Sequence, residues 1–245
     1  MNHKELYESL DQHYRRMDPN HETWELWTKD NKSKEEFFEV AIGCILVQNT
    51  NWSNVDKAVN NLRTSDVFTF EKILGCKEAK LIDLIKPAGF FNQKMVYLKE
   101  ISKVFTKFEY KEINRTILLK TKGIGKETAD SLLNFCLRRP SPVIGTYTKR
   151  LFARIYGKVE YLAKRYEFIQ EEILEVFDNP SANELGLFHG LIVSHSQNVC
   201  SKKDPFCDSC FLNKQCQYYN SLKKESSLFK TIDEKINPKK EAKKK

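Results

Sequence analysis

Leu118-Leu119-Lys120-Thr121-Lys122-Gly123-Ile124-Gly125-Lys126-Glu127-Thr128-Ala129-Asp130 is the stretch on which the reading of the chain turns. Two glycines one residue apart allow backbone angles that side chains forbid, so a tight hairpin there can present successive amide N–H groups to an anion before the chain turns helical. Ala129, Leu132, Leu133 and Cys136 follow at helical spacing. Amides, a positive helix N-terminus and the side chains of Lys120, Lys122 and Lys126 make a site for a phosphodiester. A glycine turn can equally be a plain connector, and the rest of the chain has to decide between the two.

The 245 residues carry a formal net charge of +8, enough chain for one large domain or two small ones and a charge balance that favours a polyanionic partner. Part of the excess lies in Asn237-Pro238-Lys239-Lys240-Glu241-Ala242-Lys243-Lys244-Lys245, which reads as the end of a basic, disordered tail over 221–245. No apolar run reaches the length of a membrane span and the N-terminus has no apolar secretory core, so the expectation is a cytoplasmic protein. Seven cysteines, an odd number in a reducing compartment, argue for a metal or cluster site over a disulfide framework.

Taken in order, Leu6, Leu10, Tyr14 and Met17 have the spacing of a short amphipathic helix. Trp24 and Trp27 would share a face of the next one, in core packing or bordering a base-sized pocket. Ser33-Lys34-Glu35-Glu36 resembles a capping box, and the apolar run Phe37 to Val47 behind it reads as a buried central helix. It ends in Gln48-Asn49-Thr50-Asn51 and Trp52, an amide cluster that is costly at a buried helix end unless it bonds to something or faces a cleft. Helical patterns resume through Val55–Leu62, Thr69–Leu74, Lys80–Lys86 and Lys94–Phe105. Arg138-Arg139-Pro140-Ser141-Pro142 marks an internal boundary, beyond which 143–157 reads as a loop entering a helix that Gly157 ends, and further helices run around 166–176 and 184–195. No strand alternation flanked by hairpin turns is present, so the fold class is all-α.

Cys200, Cys207, Cys210 and Cys216 are separated by six, two and five residues. Four thiolates in one short loop can enclose a tetrahedral zinc or an iron-sulfur cluster, and spacing alone does not separate the two. Lys202, Lys203 and Lys214 lie in the same loop, so the metal can brace a basic surface. Cys44, Cys76 and Cys136 sit among apolar neighbours and read as core residues. His195 falls close enough to the loop for a structural hydrogen bond to it.

The hairpin, the I-L-V-Q-N-T segment after the buried helix, G-F-F-N-Q-K and the four-cysteine loop together resemble the endonuclease III superfamily of helix-hairpin-helix DNA glycosylases, over nearly everything from Trp24 to Cys216. Within it the chain is most similar to the 3-methyladenine DNA glycosylase III branch. The resemblance implies a six-helix domain with the hairpin (29–139), inserted into a helical domain made of 1–28 and 140–220, with a 4Fe-4S cluster on the four cysteines and a DNA-binding cleft between the domains. It implies a monomer that binds double-stranded DNA, associated with the nucleoid when bound, and a monovalent cation on hairpin carbonyls.

In such enzymes a damaged nucleotide is flipped out of the duplex and its N-glycosidic bond is cleaved. Gln48 falls where the family fills the vacated stack, Gly123, Gly125 and Thr128 belong to the DNA-gripping hairpin, and Trp52 falls at the base pocket beside Glu127. An indole face attracts a cationic alkylated purine. Two departures bear on chemistry. Bifunctional members place a lysine nucleophile where this chain has Glu127, which cannot form a Schiff base, so the expectation is a monofunctional enzyme. The family's catalytic aspartate is replaced by Gly145. Either Glu127 supplies the carboxylate, or a cationic base leaves with little help, or the protein binds DNA lesions without cutting.

Overall fold

The computed structural model describes residues 1–223 and 227–236, and among these every regular element is helical. In chain order they are α1 (His3–Tyr14), α2 (Glu22–Thr28), α3 (Lys34–Leu46), α4 (Trp52–Thr64), α5 (Phe70–Gly75), α6 (Glu78–Ile85), α7 (Phe91–Lys107), α8 (Arg115–Lys120) and α9 (Lys126–Ser131). A π-helical turn, Leu132–Cys136, extends α9. Then come α10 (Thr146–Tyr156), α11 (Tyr166–Val176), α12 (Ala182–Asn198), α13 (Gln217–Lys223) and α14 (Ser227–Ile236). No helix among the described residues is long and apolar enough to cross a membrane.

The chain divides into two compact units. A terminal unit takes Met1–Trp24, Pro142–Pro180 and the chain from Glu184 onward; a central unit takes Glu25–Ser141 with Ser181–Asn183. The core of the terminal unit gathers Leu6 and Leu10 of α1, Leu151, Phe152 and Ile155 of α10, and Phe188, Leu191 and Ile192 of α12. Ile232 and Ile236 of α14 join it. A disordered tail starting at 221 is therefore corrected: α13 and α14 continue the fold because their apolar residues find this core, while residues 237–245 lie outside the described ones.

In the central unit α3 is buried nearly all round, from Phe37 to Leu46. Its start is a true capping box, Ser33 accepting from the Glu36 amide and Glu36 from the Ser33 amide. In this core Phe37 meets Phe70 and Phe105 edge to face and stacks on Tyr110. The unit holds seven α-helices, α3 to α9, where the resemblance implies six; extended residues at Cys76 and Lys77 keep α5 and α6 apart. Cys76 caps α5 and is only half-buried, unlike Cys44 and Cys136, which are in the core as the sequence predicts.

Candidate nucleic-acid interface

The hairpin joins α8 to α9. Thr121 leaves α8 in extended conformation, and Gly123 takes φ +86, the left-handed region. A Cβ on Gly123 would lie 2.1 Å from the Tyr97 ring, so this position needs glycine twice over. Gly125 differs from the sequence expectation. It is the extended N-cap of α9 at φ −87, an ordinary backbone, and a Cβ there would point into open space. Ile124 is buried and anchors the turn, while Lys120, Lys122, Lys126 and Glu127 stand exposed around it.

Beneath the hairpin a polar network fixes α8 against α9. Arg115 grips the fully buried Asp130 through Nε and Nη2 at 2.9 and 3.0 Å. Ser141 Oγ donates to Asp130 Oδ1 at 2.8 Å, and Asn134 Oδ1 accepts from the Ser141 amide. Paired and hydrogen-bonded in this way, a buried carboxylate is tolerable.

The turn after α3 reaches the same hairpin. Gln48 Nε2 donates to Gly123 O and to Thr128 Oγ1, both at 3.2 Å. That answers where the amide cluster bonds, and it places Thr128 differently from the sequence reading: its hydroxyl is buried and faces Gln48. Asn49 takes φ +55 to make the turn, and Asn51 caps α4 by accepting from the Asn54 amide. Trp52 is thereby the first residue of α4, 38% exposed, and hydrogen-bonds to Asp56. Partial burial raises the Asp56 pKa, against that hydrogen bond.

Trp52 meets Trp27 edge to face at 5.0 Å, and Trp27 in turn meets Phe135 at 5.5 Å. A Cβ on Gly43 would stand 3.1 Å from both indole tips, so α3 makes room for the pair by having no side chain there. Trp24, on the same α2, packs instead in the terminal unit, over Gly190 and with its Nε1 donating to Ser194 Oγ at 3.2 Å. The two indoles of α2 therefore serve different cores.

One residue that sequence reasoning missed is Phe90. It is 60% exposed and adopts φ +46, ψ 32, immediately before α7. A large apolar side chain held outward in a disfavoured conformation is a functional signal. In the sequence it figures only as part of the G-F-F-N-Q-K segment.

Gly145 belongs to the terminal unit, as the extended N-cap of α10 at φ −98, ψ −178, with no side chain to satisfy the first turn. Thr148, three residues on, is buried with its Oγ1 unpartnered. His189 Nδ1–H donates to Val143 O at 3.1 Å, holding the segment that leads to Gly145; burial brings the His189 pKa down to about 4, so the ring is neutral.

The four cysteines of the loop line one small, partly open pocket, together with Leu151, Ile155, Val199 and Pro205. Arg154 of α10 is buried against it, donating to Cys200 Sγ at 3.2 Å, Ser201 O at 2.6 Å and Lys202 O at 3.0 Å. Arg150 reaches Cys200 O and Ser196 O. His195 Nε2 lies 3.6 Å from Cys210 Sγ, as the sequence position predicts, and its Nδ1 pairs with Tyr14 Oη. Burial lifts the Cys207 and Cys216 thiols to about 11 and 12. Thiolates there need positive charge nearby, and Arg154 supplies some. Among the described residues no three His, Cys, Asp or Glu side chains close tightly enough for a single metal ion.

Residues 42–178 match the HhH-GPD superfamily of base excision DNA repair proteins. The chain belongs to that superfamily. A relative from Methanocaldococcus jannaschii, named as a DNA repair glycosylase, is 38% identical over 210 residues, covering 80% of this chain and 89% of its own. The structure of H. pylori 3-methyladenine DNA glycosylase bound to 1,N6-ethenoadenine superposes with TM-score 0.65 at 27% identity, covering 80% of this chain and 98% of that one. An endonuclease III bound non-covalently to DNA gives TM-score 0.69 at 16% identity over 92% and 100%, a likeness of fold. The HhH-GPD span takes in the hairpin, Gln48, Trp52 and Gly145 and stops before Cys200.

Proposed function

We propose that this HhH-GPD protein is a monofunctional DNA glycosylase that flips an alkylated purine out of double-stranded DNA and hydrolyses its N-glycosidic bond. The observation that carries the reading is the exposed Trp52 indole, braced by Trp27 over Gly43, next in sequence to the turn whose Gln48 binds the hairpin. A cationic base stacks favourably on such a face. The H. pylori neighbour, with its bound modified adenine, supports the same substrate class.

In this reading the hairpin amides and Lys120, Lys122 and Lys126 grip a phosphodiester, with a monovalent cation on hairpin carbonyls. Gln48 and Phe90 enter the vacated stack; apolar side chains wedge base steps apart in this way. Glu127 takes a proton from the attacking water, whose oxygen bonds to C1′ as the bond to the base nitrogen breaks, and a cationic base departs neutral. Cys200, Cys207, Cys210 and Cys216 would hold a 4Fe-4S cluster, which when bound cross-links the loop and gives Arg150 and Arg154 an anion to face. The protein acts as a monomer inside the cell, at the nucleoid.

Incubation with methylated duplex DNA should release free base and leave abasic sites, with no Schiff-base complex trapped by borohydride. Trapping of such a complex would refute the monofunctional assignment. Glu127→Gln should slow single-turnover release; an undiminished rate removes Glu127 from the mechanism. Gly145 favours a second reading, a lesion-binding protein that does not cut, and tight binding without base release after prolonged incubation would establish it.

A further inference from the structure

Lys94, in the first turn of α7, is 1% exposed. Such burial is rare for a lysine unless carbonyls or carboxylates receive the ammonium. Here Nζ donates to two main-chain carbonyls, Leu46 O and Ala88 O, both at 2.8 Å. Leu46 ends α3, two residues before Gln48; Ala88 lies two residues before Phe90. One side chain therefore ties together the backbones that launch Gln48 and Phe90. Burial lowers the Lys94 pKa to about 8, in keeping with an ammonium held for its geometry at a cost in hydration.

We propose that Lys94 is a positioning residue that sets the spacing between Gln48 and Phe90, so that both side chains enter one gap in the base stack together. The inference rests on the insertion described under the proposed function. Phe90 is held at φ +46 and Gln48 follows the C-terminus of a buried helix, so each turn has a conformation of its own. Without the ammonium, Leu46 O and Ala88 O lose the donor they share, and the two turns are no longer tied through it. Besides the bonds from Gln48, the hairpin helices are held by Asp130, Arg115 and Ser141, none of which Lys94 bonds. Insertion and duplex grip are then separable by mutation at Lys94.

The test uses the full chain, a duplex containing one tetrahydrofuran abasic analogue, and 2-aminopurine opposite it as reporter of insertion. Wild-type protein should raise the 2-aminopurine fluorescence. Lys94→Met keeps the apolar stem and removes the donors. It should retain the thermal midpoint and the affinity for undamaged duplex, lose the fluorescence rise, and release methylated base roughly 100-fold more slowly, the scale of an ångström misplacement. Lys94→Gln, which keeps one donor group, should fall between the two and serves if the methionine variant does not fold. An equal fluorescence rise in wild type and variants overturns the role of Lys94, as does a loss of midpoint and duplex affinity in step with the loss of insertion. No rise with the wild type overturns the insertion reading itself, and the assignment of Lys94 with it.

Discussion

The side-chain amide of Gln48 donates to the hydroxyl of Thr128 at 3.2 Å, although 80 residues separate them in sequence. The residue assigned to the base stack is thus docked on the hairpin helix, and insertion into DNA has to break that bond and the one to Gly123 O. Thr128→Val removes one acceptor and keeps the shape of the side chain. The folded state should lose about 1 kcal/mol, the net worth of a neutral hydrogen bond, read from urea unfolding. Insertion no longer breaks that bond, so base release should quicken severalfold in a single-turnover assay. Slower release would mean that the hydroxyl serves the DNA-bound state.

The two hairpin glycines should respond differently to alanine. Gly123→Ala places a side chain in the left-handed region, a penalty of roughly 1–2 kcal/mol, and also drives Cβ into the Tyr97 ring. It should unfold at clearly lower urea. Gly125→Ala keeps an ordinary φ and meets nothing, so its cost to stability should stay below about 1 kcal/mol, the loss of a glycine N-cap. Its methyl group projects into open space beside the hairpin, where an approaching phosphate backbone would meet it, and affinity for duplex DNA, followed by fluorescence anisotropy, should fall nonetheless. Unchanged affinity of the Gly125 variant would remove the amides from the DNA contact.

What was legible in the sequence was local. The hairpin turn, the capping box at Ser33 and the apolar run of α3 depend on neighbours within a few residues, and each appears in the structure where the pattern puts it, although of the two glycines only Gly123 takes a backbone that side chains disfavour. What was hidden depends on partners far along the chain. The bond from Gln48 to Gly123 spans 75 residues, and the separation of Trp24 from Trp27 reflects two cores that no helical periodicity reveals. The different roles of Gly123 and Gly125 follow from backbone angles that composition does not encode. Lys94 left a signal: it falls in phase with Leu98, Ile101 and Phe105 on the buried face of α7, where a lysine needs an acceptor. Phe90 left only its place in the G-F-F-N-Q-K segment, and its exposure at positive φ depends on backbone angles that the pattern does not encode.

Stability should fall on acidification because of buried neutral histidines. His3 stacks on Phe152, pairs through Nδ1 with Tyr156 Oη, and has its pKa lowered to about 4 by burial; His189 is lowered to about the same value. A pKa lower in the folded chain means that the unfolded chain binds more protons between the two values, so stability rises with pH there. The contribution is complete above the unfolded value of about 6.5 and is lost as pH falls toward about 4. Urea midpoints should decline across this window, and His3→Gln should flatten the decline. A midpoint independent of pH between these values would contradict the burial of both rings as neutral groups.

Gly145 is the position at which chemistry and backbone can be tested separately. Its φ of −98 and ψ of −178 suit any residue, and aspartate is a preferred N-cap, so Gly145→Asp should stabilise α10 by a few tenths of a kcal/mol relative to glycine. The catalytic expectation is larger and depends on the base. A carboxylate beside the sugar stabilises positive charge developing at C1′, and interactions of this kind contribute about 10²–10³ in rate. An uncharged modified base, which leaves poorly, should gain most of that factor; a cationic alkylpurine, which already leaves as a neutral molecule, should gain little. Comparing release of ethenoadenine and of 7-methylguanine by the wild type and the variant measures the difference. A selective gain for the uncharged base would show that the glycine restricts this protein to labile substrates, whereas equal gains for both would mean that the aspartate acts on the water and that substrate choice lies with Trp52.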